Sequence, residues 1–260
     1  MKGTAMRRAI GVLIVLAFAA GAYAQGLYWE SKGSGAVGER SSKHYYMPKM
    51  FKSVEDEDGT VVIFRLDKEV LYTIHSKEKT YRRVTFAEME AAMKKGSEKL
   101  DEKMAQLQKQ MESMPPEQRK MMEDRMGAFM PDKGKDQKIE IIPTGDRATI
   151  SGFPSVKYSI KRNGKEMLAL WTTKDLKGYD AMRGDFDQFM KRSMNMSPIA
   201  KGMAEAFTKV EGFPVQTEIG EMKETVTKVE RRSIPASEFD VPVGYTLEKE
   251  SPLGDTEKEK

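Results

Sequence analysis

Residues 62–86 read VIFRLDKEVLYTIHSKEKTYRRVTF and contain the clearest strand pattern of the chain. Val70, Tyr72 and Ile74 alternate with their neighbours, and side chains two residues apart lie on one face of a strand. The dipeptide Asp58-Gly59, just before this stretch, is a strong signal for a tight hairpin turn. Short strands at this spacing predict an antiparallel meander. The predicted strands run over 61–66, 70–74 and 81–86.

The periodicity changes after this meander, because apolar residues now recur at intervals of three and four, or of whole turns. They are Phe86, Met89, Met93, Leu100, Met104, Leu107, Met111 and Met114. This stripe predicts a helix of about 28 residues. Pro115 and Pro116 end it, and a second apolar stripe continues to Met130. The sequence therefore predicts a methionine-rich helical hairpin, inserted at 86–130.

Strand patterns return in the rest of the chain. The dipeptide Asn163-Gly164 is a type I′ hairpin signal between two alternating stretches. Further strands are predicted at 139–142, 148–150, 156–160, 166–172, 215–219, 225–233 and 243–247. Amphipathic helices are predicted at 178–192 and 197–209. Gly33, Gly35 and Gly38 spell GxGxxG, but no helical periodicity follows them, so we expect a flexible hairpin loop there rather than a dinucleotide site.

The N-terminus has the three parts of a secretory signal. Lys2, Arg7 and Arg8 precede an apolar run over residues 9–20, which is followed by Ala22-Tyr23-Ala24. The run is shorter than the roughly 20 residues that a spanning helix needs. We therefore predict a signal peptide over 1–24, cleavage after Ala24, and a soluble protein that is periplasmic or secreted. The alternative is an uncleaved membrane anchor.

Composition excludes several classes of function. The net charge is +4, but three positive charges lie in the predicted signal, and basic and acidic residues are interleaved elsewhere. Nucleic-acid binding is therefore not expected. The chain has no Cys and 2 His, so it lacks thiol nucleophiles and zinc-thiolate sites. No catalytic motif is present. We expect neither an enzyme nor a cofactor, although paired carboxylates stay open as an alternative.

Methionine is unusually abundant, with 20 residues. Thioethers are suited to Cu(I), and Met194, Met196 and Met203 lie close together in the sequence. Most of the other methionines have helical spacing, which burial explains. Three acidic residues in one predicted helix suggest calcium, but the spacing of an EF-hand loop is absent. They are Asp180, Asp185 and Asp187. We therefore interpret these positions as structural.

Three stretches resemble a group of exported bacterial proteins of uncharacterised function. They are residues 62–86; residues 150–176, ISGFPSVKYSIKRNGKEMLALWTTKDL; and the ending, GFPVQTEI at 212–219 with SIPASEFDVPVGY at 233–245. That group is similar in turn to the LolA-like carriers of lipoproteins. The resemblance implies a curved antiparallel half-barrel closed by helices, with an apolar cavity for an acyl chain. The predicted methionine-rich hairpin departs from the carriers.

We therefore predict an α+β protein: a LolA-like curved antiparallel half-barrel with helices across its open face and an inserted methionine-rich helical hairpin. A single domain covers 25–250, and a disordered tail covers 251–260. The candidate cavity residues are Trp29, Phe64, Tyr72, Trp171, Met182, Phe186 and Phe189.

The predicted function is non-catalytic binding of an apolar or lipid-like ligand in the cell envelope. One alternative is a protein-interaction module that uses the hairpin. Another is a periplasmic metal-handling protein. In a third, every apolar stripe is simply folded core.

Overall fold

The computed structural model describes residues 25–35, 38–112, 115, 138–193 and 207–248. Four sequence predictions fall wholly or mainly outside these residues. They are the signal peptide at 1–24, the second helix of the hairpin at 116–130, the helix at 197–209 except for its last three positions, and the tail at 251–260.

Twelve strands and two α-helices are described. The N-terminal strands are β1 (Gln25–Ser34), β2 (Arg40–Met47), β3 (Met50–Glu55), β4 (Thr60–Arg65), β5 (Val70–His75) and β6 (Thr80–Thr85). Helix α1 (Phe86–Glu112) follows, and then β7 (Ile139–Ile150), β8 (Phe153–Arg162) and β9 (Lys165–Thr173). Helix α2 (Tyr179–Ser193) precedes β10 (Phe213–Ile219), β11 (Met222–Ser233), a 3₁₀ turn (Ala236–Phe239) and β12 (Thr246–Leu247).

The strands form one open sheet in the order β12-β6-β5-β4-β3-β2-β1-β11-β10-β9-β8-β7. Neighbouring strands are antiparallel except for β12, which pairs with β6 in parallel, so the sheet is mixed. The antiparallel pairing of β1 with β11 joins the N-terminal meander to the C-terminal strands. The predicted meander is confirmed.

The predicted fold class was wrong. The described residues form a large open mixed sheet with few helices, of which α2 contacts one face, and they do not form an α+β half-barrel closed by several helices across its open face. Helix α1 packs against the sheet mainly at β6. Met93, in its predicted apolar stripe, is 39% exposed. The spacing of apolar residues reveals a helix and its stripe, but it does not reveal which surface that stripe meets.

Both predicted hairpins form, the first through a loop over 56–59 and the second through the two-residue turn Asn163-Gly164. Asn163 and Gly164 have φ of 50° and 80°, as a type I′ turn requires. Gly59 has φ of 73° in the turn between β3 and β4. Gly33 lies in β1 and Gly38 precedes β2, so the GxGxxG glycines are followed by a strand and the predicted hairpin loop is confirmed.

The C-terminal segment covers one face of strands β2 to β6. Ile234 and Phe239 are 3% and 0% exposed and pack against Ile63 and Ile74. Arg65, 7% exposed, fixes this segment through hydrogen bonds to the carboxylate of Asp240 at 2.9 Å and the carbonyl of Phe239 at 3.3 Å. The C-terminal segment thus occupies this face, and α2 contacts the opposite one.

Candidate functional site

A row of apolar side chains crosses six strands on the face opposite the C-terminal segment. Each member is the direct cross-strand partner of the next, so all six point to the same side of the sheet. In order from β1 to β6 they are Leu27, Tyr46, Phe51, Phe64, Leu71 and Val84. We call this set the apolar row.

Burial of the apolar row changes from one end to the other. Leu27 and Tyr46 are each 3% exposed and belong to a core cluster with Met182 of α2. The four members on β3 to β6 are only half-buried. The row therefore begins in closed core and ends in a surface where apolar side chains still meet solvent.

Helix α2 lies over the row and is fixed to it by a polar contact. The hydroxyl of Tyr46 donates a hydrogen bond to Oδ2 of Asp185 at 2.9 Å, and the backbone amide of Lys49 donates to the same oxygen at 2.6 Å. Burial and this hydrogen bond raise the pKa of Tyr46, so the phenol stays protonated. Asp185 thus sets the position of α2 above the strands.

An aromatic cluster stands at the half-buried end of the row. The rings of Phe64 and Phe189 are 4.8 Å apart at 70°, and those of Phe86 and Phe189 are 5.8 Å apart. Phe86, at the start of α1, is 8% exposed, whereas Phe186, one turn before Phe189 on α2, is 40% exposed. Apolar surface is thus available beside the cluster.

A polar network occupies the other end of the same face. Ser31 donates to Glu224 at 2.6 Å and lies 2.7 Å from the hydroxyl of Ser42. Nε2 of His44 is 3.0 Å from both serine oxygens. A proton on Nε2 satisfies all four contacts. The imidazole then donates to both serine hydroxyls, Ser42 donates to Ser31, and Ser31 donates to the carboxylate of Glu224.

This network lacks the geometry of an acyl-transfer triad. In a triad, the serine and the carboxylate contact opposite nitrogens of the imidazole. Here Glu224 is 3.9 Å from Nε2, the nitrogen that also faces the serines. Burial lowers the pKa of His44, which is stacked on Trp29 with ring centroids 4.9 Å apart. A neutral imidazole in a structural network fits these observations.

A cavity of about 210 Å³ opens beside the network, and we call it the polar cavity. It is lined by Gly33, Ser34, Arg40, Ser42, Glu55, Thr217, Ile219, Met222, Lys223 and Glu224. Burial, followed by the charge of Glu224, raises the pKa of Glu55. A second cavity, of about 420 Å³, lies between β7, β8 and β9 around Arg147, Ser155 and Thr172.

The seven predicted cavity residues fall into three places. Phe64, Phe186 and Phe189 lie at the aromatic cluster. Met182 belongs to the core cluster that contains Leu27 and Phe213, and Trp29 and Trp171 pack against that cluster. Tyr72 pairs with Ile63 and packs beneath the C-terminal segment, on the face opposite Phe64.

Four residues of this surface were not among the sequence candidates: Phe51, Leu71, Val84 and Phe86. In β5, Leu71 shares its face with Thr73 and His75, so alternation singled out Val70, Tyr72 and Ile74 on the other face and passed over Leu71. The signal that could have found the row is the presence of one apolar residue at matching distances from each hairpin turn.

The described residues contain no group of three or more His, Cys, Asp and Glu side chains placed to hold a metal ion. Of the three acidic residues considered for calcium, Asp185 accepts hydrogen bonds from Tyr46 and Lys49, and Asp187 lies 3.9 Å from Arg183. Met194, Met196 and Met203 lie outside the described residues. In the described part of the chain, no helix has the length and apolar character to cross a membrane.

Comparison with solved structures finds weak similarities. An uncharacterized conserved protein from Thermus thermophilus has 6% identity and a TM-score of 0.45, over 86% of this chain and 90% of that chain. The structure of PNGF-II has 11% identity and a TM-score of 0.38, over 86% of this chain and 30% of that chain. The MucA/MucB complex of Pseudomonas aeruginosa has 6% identity and a TM-score of 0.36, over 82% of this chain and 54% of that chain.

The chain therefore spans less than a third of the matched PNGF-II chain and about half of the matched MucA/MucB chain. No curated protein matches this sequence. A family model described as "Domain of unknown function (DUF4412)" matches residues 87–245. This match covers more than half of the 260 residues, and the chain belongs to the DUF4412 family.

Proposed function

We propose that this protein binds the apolar part of a lipid-like ligand, without catalysis, on the half-buried end of the apolar row beside α2. The observation that carries the proposal is the change in burial along one row, from 3% exposed at Tyr46 to half-buried at Phe51, Phe64, Leu71 and Val84. An apolar chain laid over these side chains removes them from water, and each buried methylene contributes about 0.8 kcal/mol.

The surroundings of the row support this use. The ring of Phe189 already rests on Phe64, and exposed Phe186 extends the same apolar surface along α2. Residues 62–86 resemble a group of exported bacterial proteins that is similar in turn to the LolA-like carriers, and this supports an acyl chain as the ligand. The signal pattern of residues 1–24 supports export, so the proposed place of action is the periplasm or the exterior.

The test is a thermal-shift titration of the mature chain with fatty acids and phospholipids. A ligand that binds the folded state raises the melting temperature in proportion to the logarithm of its concentration once the site is saturated. Phe64→Ser and Leu71→Ser should abolish the shift, because each places a hydroxyl under the acyl chain. Val243→Ser is the matched control, since Val243 is fully exposed and distant in sequence from the row.

An unchanged melting temperature of the wild-type protein with every lipid would contradict the proposal. So would a shift that both Phe64→Ser and Leu71→Ser retain. The melting temperature of each variant without ligand shows whether it is folded, and a variant that does not melt cooperatively is replaced by Phe64→Leu or Leu71→Ala.

A second candidate function, protein interaction through α1, is favoured by the exposure of Met93. This helix of 27 residues has 39% of Met93 open to solvent, although the residue belongs to an apolar stripe. This function is tested by comparing the sedimentation of the mature wild-type chain with that of the Met93→Lys variant. A self-associated wild type that becomes monomeric in the variant supports an interface there, and two monomeric proteins contradict self-association through this stripe.

A further inference from the structure

The polar cavity and the apolar row lie on the same face of the sheet. On β3, Phe51, Ser53 and Glu55 occupy every second position and therefore point to one side of the sheet. Phe51 is in the row and Glu55 lines the cavity. Four strand residues span about 13 Å, so one amphipathic molecule can reach both places. All three side chains are half-buried, which leaves the path along β3 partly open.

The charges around the cavity have both signs. Arg40, the cross-strand partner of Gly33, contributes a cation, and Glu55 and Glu224 contribute two carboxylates. Lys223 lines the cavity too, but it alternates with Glu224 on β11, so its side chain points to the other face. Among the described residues, neither Arg40 nor Glu55 has an ion pair within 4.0 Å, although the charge of Arg40 lowers the pKa of Glu55. Glu224 differs, because it accepts the hydrogen bond from Ser31. The cavity thus presents one carboxylate, Glu55, and one cation, Arg40, that form no ion pair among the described residues.

The carboxylate of Glu55 favours a positively charged guest. Its pKa is raised by burial and by the neighbouring charge of Glu224, which outweigh the opposing charge of Arg40, so its ionised form is only partly compensated. An ammonium group placed between these two carboxylates would relieve their repulsion. Arg40 is exposed and can meet an anionic group at the rim.

We propose that the polar cavity binds a zwitterionic head group, with its ammonium at Glu55 and its phosphate at Arg40, while the attached apolar chain lies on the apolar row. This inference rests on the proposed function, because it supplies the polar end of the same ligand. The buried hydroxyl of Ser42 forms the floor of the site and is held by Ser31 and His44.

The experiment compares four amphiphiles that share a dodecyl chain, each below its micelle-forming concentration. They are dodecylphosphocholine, which is zwitterionic, dodecyl sulfate, dodecyltrimethylammonium and neutral dodecyl maltoside. Calorimetric titration of the wild-type chain should show the zwitterion binding about tenfold more tightly than the maltoside, as a charge-assisted contact predicts. Glu55→Gln and Arg40→Gln should each remove that preference and leave maltoside binding unchanged.

Glu78→Gln is the matched control, because Glu78 is exposed in the turn between β5 and β6. Equal affinity of the wild type for all four amphiphiles would overturn the head-group site and leave the proposed function intact. So would a zwitterion preference that survives both cavity substitutions. No binding of any amphiphile overturns both proposals. Free phosphoethanolamine distinguishes recognition of the head group from recognition of the chain. If it binds without a chain, the cavity recognises the head group alone. If it binds more weakly than dodecylphosphocholine, the apolar row contributes to the affinity.

Discussion

The hydroxyl of Tyr46 donates a hydrogen bond to Asp185, and this contact ties the middle of the sheet to α2 across 139 residues of sequence. The same oxygen of Asp185 accepts the backbone amide of Lys49, a residue with φ of 63° in the turn between β2 and β3. One carboxylate therefore determines where α2 sits over the apolar row.

Asp185→Ala should destabilise the protein by about 2 kcal/mol, because it leaves the buried Tyr46 hydroxyl and the Lys49 amide without their charged acceptor. Urea unfolding measures the free energy. Asp187→Ala is the control on the same helix: its pairing with Arg183 is an i,i+4 contact at 3.9 Å, which is worth about 0.5 kcal/mol or less. Equal losses in the two variants would show that the Asp185 contact does not hold α2.

Substitutions at the start of α1 should separate its buried and exposed residues. Phe86→Ala removes an 8% exposed ring that packs on Phe189 and should cost about 3 kcal/mol. Met93→Ala should cost less than about 1 kcal/mol, because 39% of that side chain already meets solvent. Thermal unfolding measures the stability of both variants. A large loss of stability in Met93→Ala would show that the apolar stripe of α1 is covered in solution.

The buried His44 should make stability depend on pH. Burial holds its folded pKa below the ordinary value of 6.5, so the unfolded chain binds the proton more readily. This residue's contribution is therefore lost as pH falls through 6.5 toward the folded pKa. Urea unfolding of the wild type and His44→Gln between pH 8 and pH 5 should show a smaller decrease in the variant. Parallel curves would mean that His44 is not the responsible group.

The stacked pair Trp29 and His44 offers an independent readout. Trp29 and Trp171 are the two tryptophans of the chain, so Trp171→Phe leaves Trp29 as the sole indole reporter. Its fluorescence should change as the imidazole 4.9 Å away gains its charge. Adding His44→Gln to the Trp171→Phe variant should remove that fluorescence change, whereas adding His75→Gln should retain it.

Arg65→Met should release the C-terminal segment from the sheet. The guanidinium is 7% exposed and donates to the carboxylates of Asp67 and Asp240, which are 36% and 54% exposed, and to the carbonyl of buried Phe239. Its removal takes away these charge-assisted hydrogen bonds, and we expect a loss of about 2 kcal/mol. Hydrogen exchange should accelerate at 234–248 more than in α2. Lys68→Met, which removes an exposed partner of Asp240 at 3.7 Å, should leave exchange unchanged.

Local features of the fold were predictable from the sequence, and long-range ones were not. Asn163-Gly164 and Asp58-Gly59 determine their hairpins because the backbone preferences of a few residues are sufficient. The pairing of β1 with β11 joins Gln25 to Ser233, and no local pattern specifies such a contact. The single mixed sheet, and with it the fold class, therefore depends on information beyond residue spacing.

The candidate site illustrates the same limit at finer scale. Phe64 was identified, and the structure places it in the apolar row, but Tyr72 lies on the opposite face because it pairs with Ile63. A shift of one residue in register would exchange the two faces. The polar cavity combines residues from β1, β2, β3 and the β10–β11 hairpin, so its charges are adjacent only after the sheet has assembled.

The union of β1 with β11 also governs how the chain folds during synthesis. Residues 25–85 can form their meander early, yet the free edge of β1 exposes unpaired amides and carbonyls until residues 222–233 have emerged. Contacts of such sequence separation slow folding. The nascent N-terminal half is therefore the species most open to misassociation with other copies, and a chaperone acting on this protein has its longest task at that edge.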